Sequence, residues 1–362
     1  MAQPTQAASD ARPAAIISPA VDLLLVGGLS LLAFVPLLIS GRKDLLIASV
    51  GVQAAITAVI NMPHFMASYR IVYRSKEMIL RHKWASLYVP AILLVYIAVA
   101  IWEAQQSTFL VTILVTVSGA YLAWHYTGQT WGMMASHAVL AGTSFDKGER
   151  LMIRGSLRVL LAWHVTWFLY THLRNPDAIW PMYVVVSVGS VGAFIVGGAG
   201  LLKMWRRTRK PPPLRSVVPW LAIFVWYAAI ARDANAIFWV QISHALQYLA
   251  FPVRVELNRT AATPGNTARR LGLHMAGYAV ALLVISYLAS EVLPARAMDA
   301  VALYFGDEPG RVTPLLVLIF INIHHYFTDG VVWKISNPEV RKELFAHVPR
   351  VASAGKAGRA RG

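Results

Sequence analysis

Cysteine is absent from all 362 residues. That removes disulfides, thiolate metal ligands and cysteine-held iron–sulfur clusters from consideration. Charge is scarce too. Asp, Glu, Lys and Arg make up only 14% of the chain, where a soluble domain carries about a quarter. So few polar side chains cannot coat a water-facing surface, and lipid is the implied solvent for much of the protein. No stretch between apolar runs is long enough for a soluble domain, and no flavin or nicotinamide motif occurs. The glycines of VGGAG (196–200) follow no strand and lie in an apolar run, so they suit close helix packing rather than a nucleotide.

Hydrophobic length is abundant. Apolar residues make up 57% of the chain, and its mean hydropathy is +0.53. A spanning helix needs about 20 mostly apolar residues. Ten segments qualify: 17–40, 45–63, 86–103, 108–134, 157–173, 179–204, 216–232, 235–253, 271–292 and 314–333. The fourth runs on as far as Leu140, and the fifth is the weakest. The expected fold is an all-α, polytopic transmembrane bundle. Residues 1–16 form a disordered N-terminal segment, 17–335 the helical domain, and 336–362 a basic tail.

The formal charge of +16 invites a nucleic-acid reading, but the positions of the charges argue against it. Of the 33 Lys and Arg, 26 fall at 70–83, 142–158, 203–215, 254–270 and from Lys334 onward. The intervening loops hold six, and Arg12 is the remaining one. Cytoplasmic loops collect basic residues. This alternation therefore predicts ten spans with both termini cytoplasmic, in the cell's inner (cytoplasmic) membrane. Attraction to anionic lipids follows, and nucleic acid is not an expected partner.

Ionisable and amide side chains inside a span ask for a partner or a function. His64 closes the second segment; His125 lies in the fourth and His244 in the eighth; His324 and His325 lie in the tenth. The expected topology brings all five into the inner half of the membrane. His125 is followed at i+4 by Gln129, His244 at i+3 by Gln247, and His325 at i+4 by Asp329. Residues at those spacings share a helix face, so each imidazole has a polar neighbour to orient it. Tyr126, Tyr248 and Tyr326 follow the same histidines closely. The expected metal ligands are His64, His125, His244, His324 and His325. Gln129 and Gln247 are cofactor-orienting residues, and Asp329 and Tyr326 are the catalytic candidates. His164, His172 and His274 read as interhelical hydrogen-bonding residues, and His82 and His347 as solvated.

Several neutral imidazoles with a carboxylate and no thiolate suit iron first, with zinc, copper and haem also compatible. These singly spread histidines resemble those of the histidine-rich membrane non-haem iron oxygenases. That group includes the fatty-acid desaturases and hydroxylases and the bacterial β-carotene dioxygenases. The chain departs from the desaturase pattern, because it has no His-x-x-x-His or His-x-x-His-His box. The resemblance implies an oxidoreductase of lipid metabolism. Its substrate would be a lipid or isoprenoid reached sideways from the bilayer, and a separate cytoplasmic protein would donate electrons. A haem-binding electron-transfer protein, a membrane acyltransferase with one buried catalytic histidine, and a proton- or ion-coupled transporter are the alternatives.

Overall fold

The computed structural model describes residues 14–172, 176–333 and 338–348. Among them there is no strand, and helix accounts for 86%. Ten long helices follow one another: α1 Pro19–Ser40, α2 Val50–Tyr73, α3 Trp84–Glu103, α4 Phe109–Leu140, α5 Lys147–His172, α6 Trp180–Thr208, α7 Leu214–Arg232, α8 Ala236–Ala261, α9 Ala268–Phe305 and α10 Asp307–Val332. A short α11, Pro338–Leu344, closes the described chain. Each of the ten expected segments falls on one of the ten long helices. Eight of these are long and apolar enough to cross a membrane. The exceptions are α5 and α8, whose ends carry Lys147, Glu149 and Arg150, and Arg254, Glu256 and Arg259.

Large apolar side chains point outward along the candidate spans. Val185, Val188 and Val191 of α6 are each about two-thirds exposed, as is Val95 of α3. An outward apolar band of this size belongs to a membrane protein. Helix ends extend beyond the apolar runs. α4 continues unbroken to Leu140, α5 begins ten residues before its expected start, and α9 continues to Phe305.

Four helices contain a π turn: Leu24–Gly28 in α1, Thr57–Asn61 in α2, Trp84–Tyr88 at the start of α3 and Leu288–Val292 in α9. Pro63, Pro90 and Pro294 lie at the first turn of the α-helical segments that follow the last three. A proline lacks the N–H that its i−4 carbonyl expects and crowds that carbonyl, and a local π turn absorbs the misfit. In α1 the cause is Gly27, at φ +140°, where a Cβ would sit 2.7 Å from the Cβ of Ala222 on α7. Such turns leave backbone carbonyls free for side chains, which the functional site uses.

The first and last described segments pack together. Residues 1–13 and most of the expected tail (336–337 and 349–362) lie outside the described residues. Ile16, by contrast, is buried, as are Leu344 and Phe345, in one apolar cluster with Val26, Val255 and Val332.

Candidate metal centre

α2, α4, α8 and α10 converge on a group of imidazoles. Donor atoms of His64, His125, His325 and Asp329, all buried, lie within 4.8 Å of one another. That limit is close to the roughly 4.2 Å between opposite ligands of one ion at ordinary metal–nitrogen distances. His244 adjoins the group, its Nε2 3.2 Å from the Nε2 of His125. The His325 Nε2 is 3.4 Å from an Asp329 carboxylate oxygen. Neighbouring ligands on one ion are about 2.9–3.4 Å apart, so both pairs have the spacing of shared coordination. Ring centroids of His64 and His325 are 4.4 Å apart, and those of His125 and His325 5.1 Å.

The donors also lack other work. His64 Nε2, both ring nitrogens of His325 and one Asp329 carboxylate oxygen are buried without a hydrogen bond among the described residues. Each such orphan costs about 1–3 kcal/mol, and so many on three neighbouring side chains are a poor way to fill a core. No guanidinium or ammonium among the described residues pairs with Asp329. A buried carboxylate without a countercharge must take up a proton or a cation. A metal ion held by this buried His/Asp cluster would engage one donor atom of each residue and offset the Asp329 charge.

Local structure aims the ligands. The π turn before His64 presents the Asn61 carbonyl to His64 Nδ1 at 3.2 Å. That bond fixes the proton on Nδ1 and leaves Nε2 as a lone-pair donor facing the group. Phe65 stacks on His325 at 4.1 Å, holding the ring against the i+4 carboxylate. The Gln129 side-chain amide donates to Asp329 across helices, from α4 to α10, and not to His125 on its own helix as the spacing suggests. Tyr326 packs with its ring 4.6 Å from His125 and stacks on Tyr121. Tyr126 packs 4.4 Å from His244, and Tyr248 lies 6.0 Å from both His64 and His244.

Two expected site residues are placed elsewhere. His324 turns away from its neighbour: its Nε2 is 3.0 Å from the Ala85 carbonyl and 3.0 Å from the Tyr73 hydroxyl. Adjacent residues on a helix diverge by about 100°, so a His-His pair cannot send both rings to one point. Gln247 reaches α1, donating to the Val26 carbonyl at 2.7 Å, and makes no bond to His244 among the described residues. Val26 and Ala85 both lie in π turns. Three of the four π turns thus give a carbonyl to a side chain singled out in the sequence.

Four of the remaining histidines are accounted for locally, whereas His137, buried 4.0 Å from Asp22, has no hydrogen bond to either ring nitrogen among the described residues. His164 bonds the Tyr227 hydroxyl at 3.0 Å and His274 bonds Glu256 at 2.7 Å, both between helices as expected. His172 caps its own helix at Phe168. His347 is exposed yet engaged, with Nε2 2.8 Å from the Ala15 carbonyl and Nδ1 accepting from Asn258. Sequence reasoning passed over Phe65, Tyr69 and Tyr73. All three lie on α2 one to nine residues beyond His64, a short walk along a helix already singled out.

No protein-family model matches the chain, and no curated protein or solved structure resembles it at a significant level.

Proposed function

We propose that this chain is a multi-pass membrane metalloenzyme of the non-haem iron oxygenase kind, acting on a lipid or isoprenoid substrate within the bilayer. The observation that carries the reading is the convergence of four buried donors from three helices, His64, His125, His325 and Asp329, within 4.8 Å. Iron at such a site, with open positions, supplies O₂ activation for attack on an inert chain. Imidazole and carboxylate without thiolate are the ligands that iron shares with zinc and copper, and the resemblance noted in the sequence favours iron among them. Rings in mutual contact, at 4.4–5.1 Å, favour direct ligation over a macrocycle between them.

The chain's own groups have definable tasks. His64, His125 and His325 hold the ion as neutral imidazoles, with His244 completing the set beside His125. Asp329 offsets its charge, and Gln129 keeps Asp329 in place. Tyr326, packed on His125, offers a phenol to a substrate or a proton. The apolar walls of α2, α4 and α10 exclude water from the reacting carbon. Electrons come from a separate cytoplasmic protein.

The proposed topology is ten crossings with both ends in the cytoplasm, in a cytoplasmic membrane. The natural lack of cysteine makes this directly testable. Single cysteines at Ser107, Ser144 and Ala346 should label from outside, inside and inside, respectively, with an impermeant maleimide. For the site, His64→Ala, His125→Ala and His325→Ala should each insert normally and lose bound metal, while His164→Ala keeps it. Retention of full metal content by the first three variants overturns the reading.

A further inference from the structure

Where α2, α8 and α9 meet, two hollows open side by side. One, of about 600 Å³, is lined by Arg70, Arg74, Arg259 and Arg270 together with Glu256 and His274. The other, of about 690 Å³, shares Arg70, Arg74 and His274 and continues between α2 and α9 past Met66, Leu282 and Ile285. The combined space is basic at one end and apolar along the rest.

The charges do not cancel. Arg70 pairs with Glu256 at 2.6 Å and Arg74 with Glu343 at 2.7 Å. Arg259 and Arg270 are exposed and have no carboxylate partner among the described residues. Two guanidinium groups thus remain for an anion, and guanidinium forks bind phosphate or carboxylate in bidentate fashion.

The apolar part runs beside the metal site. Its wall includes Tyr69 and Tyr73. Tyr69 stacks on His324 at 4.8 Å and lies 6.4 Å from the ring of His325. Along α2, Arg70 is six residues from His64, roughly 9 Å at the helical rise. A ligand headed at the arginines therefore passes its tail, and not its head, alongside the cluster.

We propose that the joined hollows bind a membrane amphiphile with an anionic head, phosphate or carboxylate, its tail laid between α2 and α9, and that this is the substrate class of the metal site. The second half of this statement rests on the metalloenzyme reading; the binding itself does not. Arg259 and Arg270 hold the head. Gly277, where an added Cβ meets nothing within 4 Å, borders the tail and gives it room.

The test is native mass spectrometry of the purified protein in neutral detergent. The probes are dioleoyl phosphatidic acid, oleate, dioleoyl phosphatidylcholine and inorganic phosphate. Retention of phosphatidic acid or oleate about tenfold above phosphatidylcholine is expected, and which of the two is held names the head. Arg259→Gln with Arg270→Gln should abolish that preference, and Gly277→Trp should reduce retention by blocking the tail. Both variants should keep the wild-type metal content. Equal retention of phosphatidylcholine, unaltered preference in the double variant, or displacement of the lipid by millimolar phosphate overturns the proposal. A protein that holds the anionic lipid but no metal defeats the metalloenzyme reading alone. One that holds metal without lipid preference defeats the groove alone.

Discussion

Two aspartates are buried among the described residues, each near an imidazole, and they differ in whether a guanidinium and backbone N–H groups complete them. Asp22, 1% exposed on α1, accepts the backbone N–H groups of Ile16 at 2.7 Å and Ile17 at 2.8 Å and pairs with Arg215 at 3.2 Å. Its charge is compensated and both oxygens are bonded, so the group is complete. It ties the chain's beginning to α7. Arg254 of α8 joins the same knot through the Ile16 carbonyl. Asp329, 4% exposed on α10, has one amide donor, one oxygen without a partner, and imidazoles where a cation would be expected. A satisfied buried charge is architecture. An unsatisfied one that shares its space with free imidazole nitrogens calls for a ligand.

The sharpest break of this comparison is to neutralise both carboxylates in turn. Asp329→Asn should lower metal affinity at least a hundredfold and abolish activity, while the metal-free protein melts no earlier than wild type. Asp22→Asn should do the reverse. Leaving the Arg215 guanidinium without its partner costs about 3 kcal/mol, read as a drop of several degrees in detergent melting, with metal content unchanged. Metal loss in both variants, or in neither, would erase the distinction.

A second variant sharpens the metal side. Gln129→Leu removes the amide that holds Asp329 and should weaken metal binding about 10- to 100-fold, measured by competition with a chelator. Gln247→Leu, which frees the Val26 carbonyl on α1, should leave affinity within about twofold. The adjacent histidines make a smaller contrast. His324→Phe loses bonds to Ala85 and Tyr73 and should cost about 1–2 kcal/mol of stability with metal retained. His325→Phe should lose the metal.

The smallest effect belongs to the contact between the first and last described segments, where His347 meets Ala15. Burial holds the His347 imidazole below its ordinary value. Docking therefore favours the neutral ring: its contribution is complete above about pH 6.5 and declines as pH falls below that. The ring is half exposed, so the effect is well under about 1 kcal/mol. Trypsin cleavage near residues 341–342 should rise modestly between about pH 7.5 and 5.5, and His347→Gln should remove the dependence.

Much of the architecture was legible in the sequence because a bilayer constrains it. Apolar length and the alternation of Lys and Arg mark ten segments, and ten long helices occupy those positions. The helices α5 and α8 were legible from their apolar segments 157–173 and 235–253, although the whole helices, with their charged ends, fall short of the composition of a span. Of the site, His64, His125, His244, His325, Gln129 and Asp329 were singled out by depth and by i+3 and i+4 spacing, and the fold brings them together. The same spacing rule drew in Gln247, which shares a helix with His244 but engages α1 instead. Spacing reports which residues share a face, and it is silent on what that face meets. The pairing of His324 with Ala85 and of His64 with Asn61 depends on π turns. Proline positions hint at those turns, but only the packed backbone shows which carbonyls they free. The Arg259–Arg270 pair reads in sequence as a cytoplasmic loop and becomes a pocket wall only when α2 and α9 close around it.

The central claim is that the unsatisfied donors around Asp329 hold a metal ion. The most direct measurement is the metal content of the purified wild-type protein by mass spectrometry, with a visible spectrum of the same sample. About one or two irons per chain without a Soret band is the predicted result. A Soret band would move the imidazoles to haem. A protein that carries no metal, and takes up none from ferrous iron, zinc or copper under reducing conditions, would contradict the account.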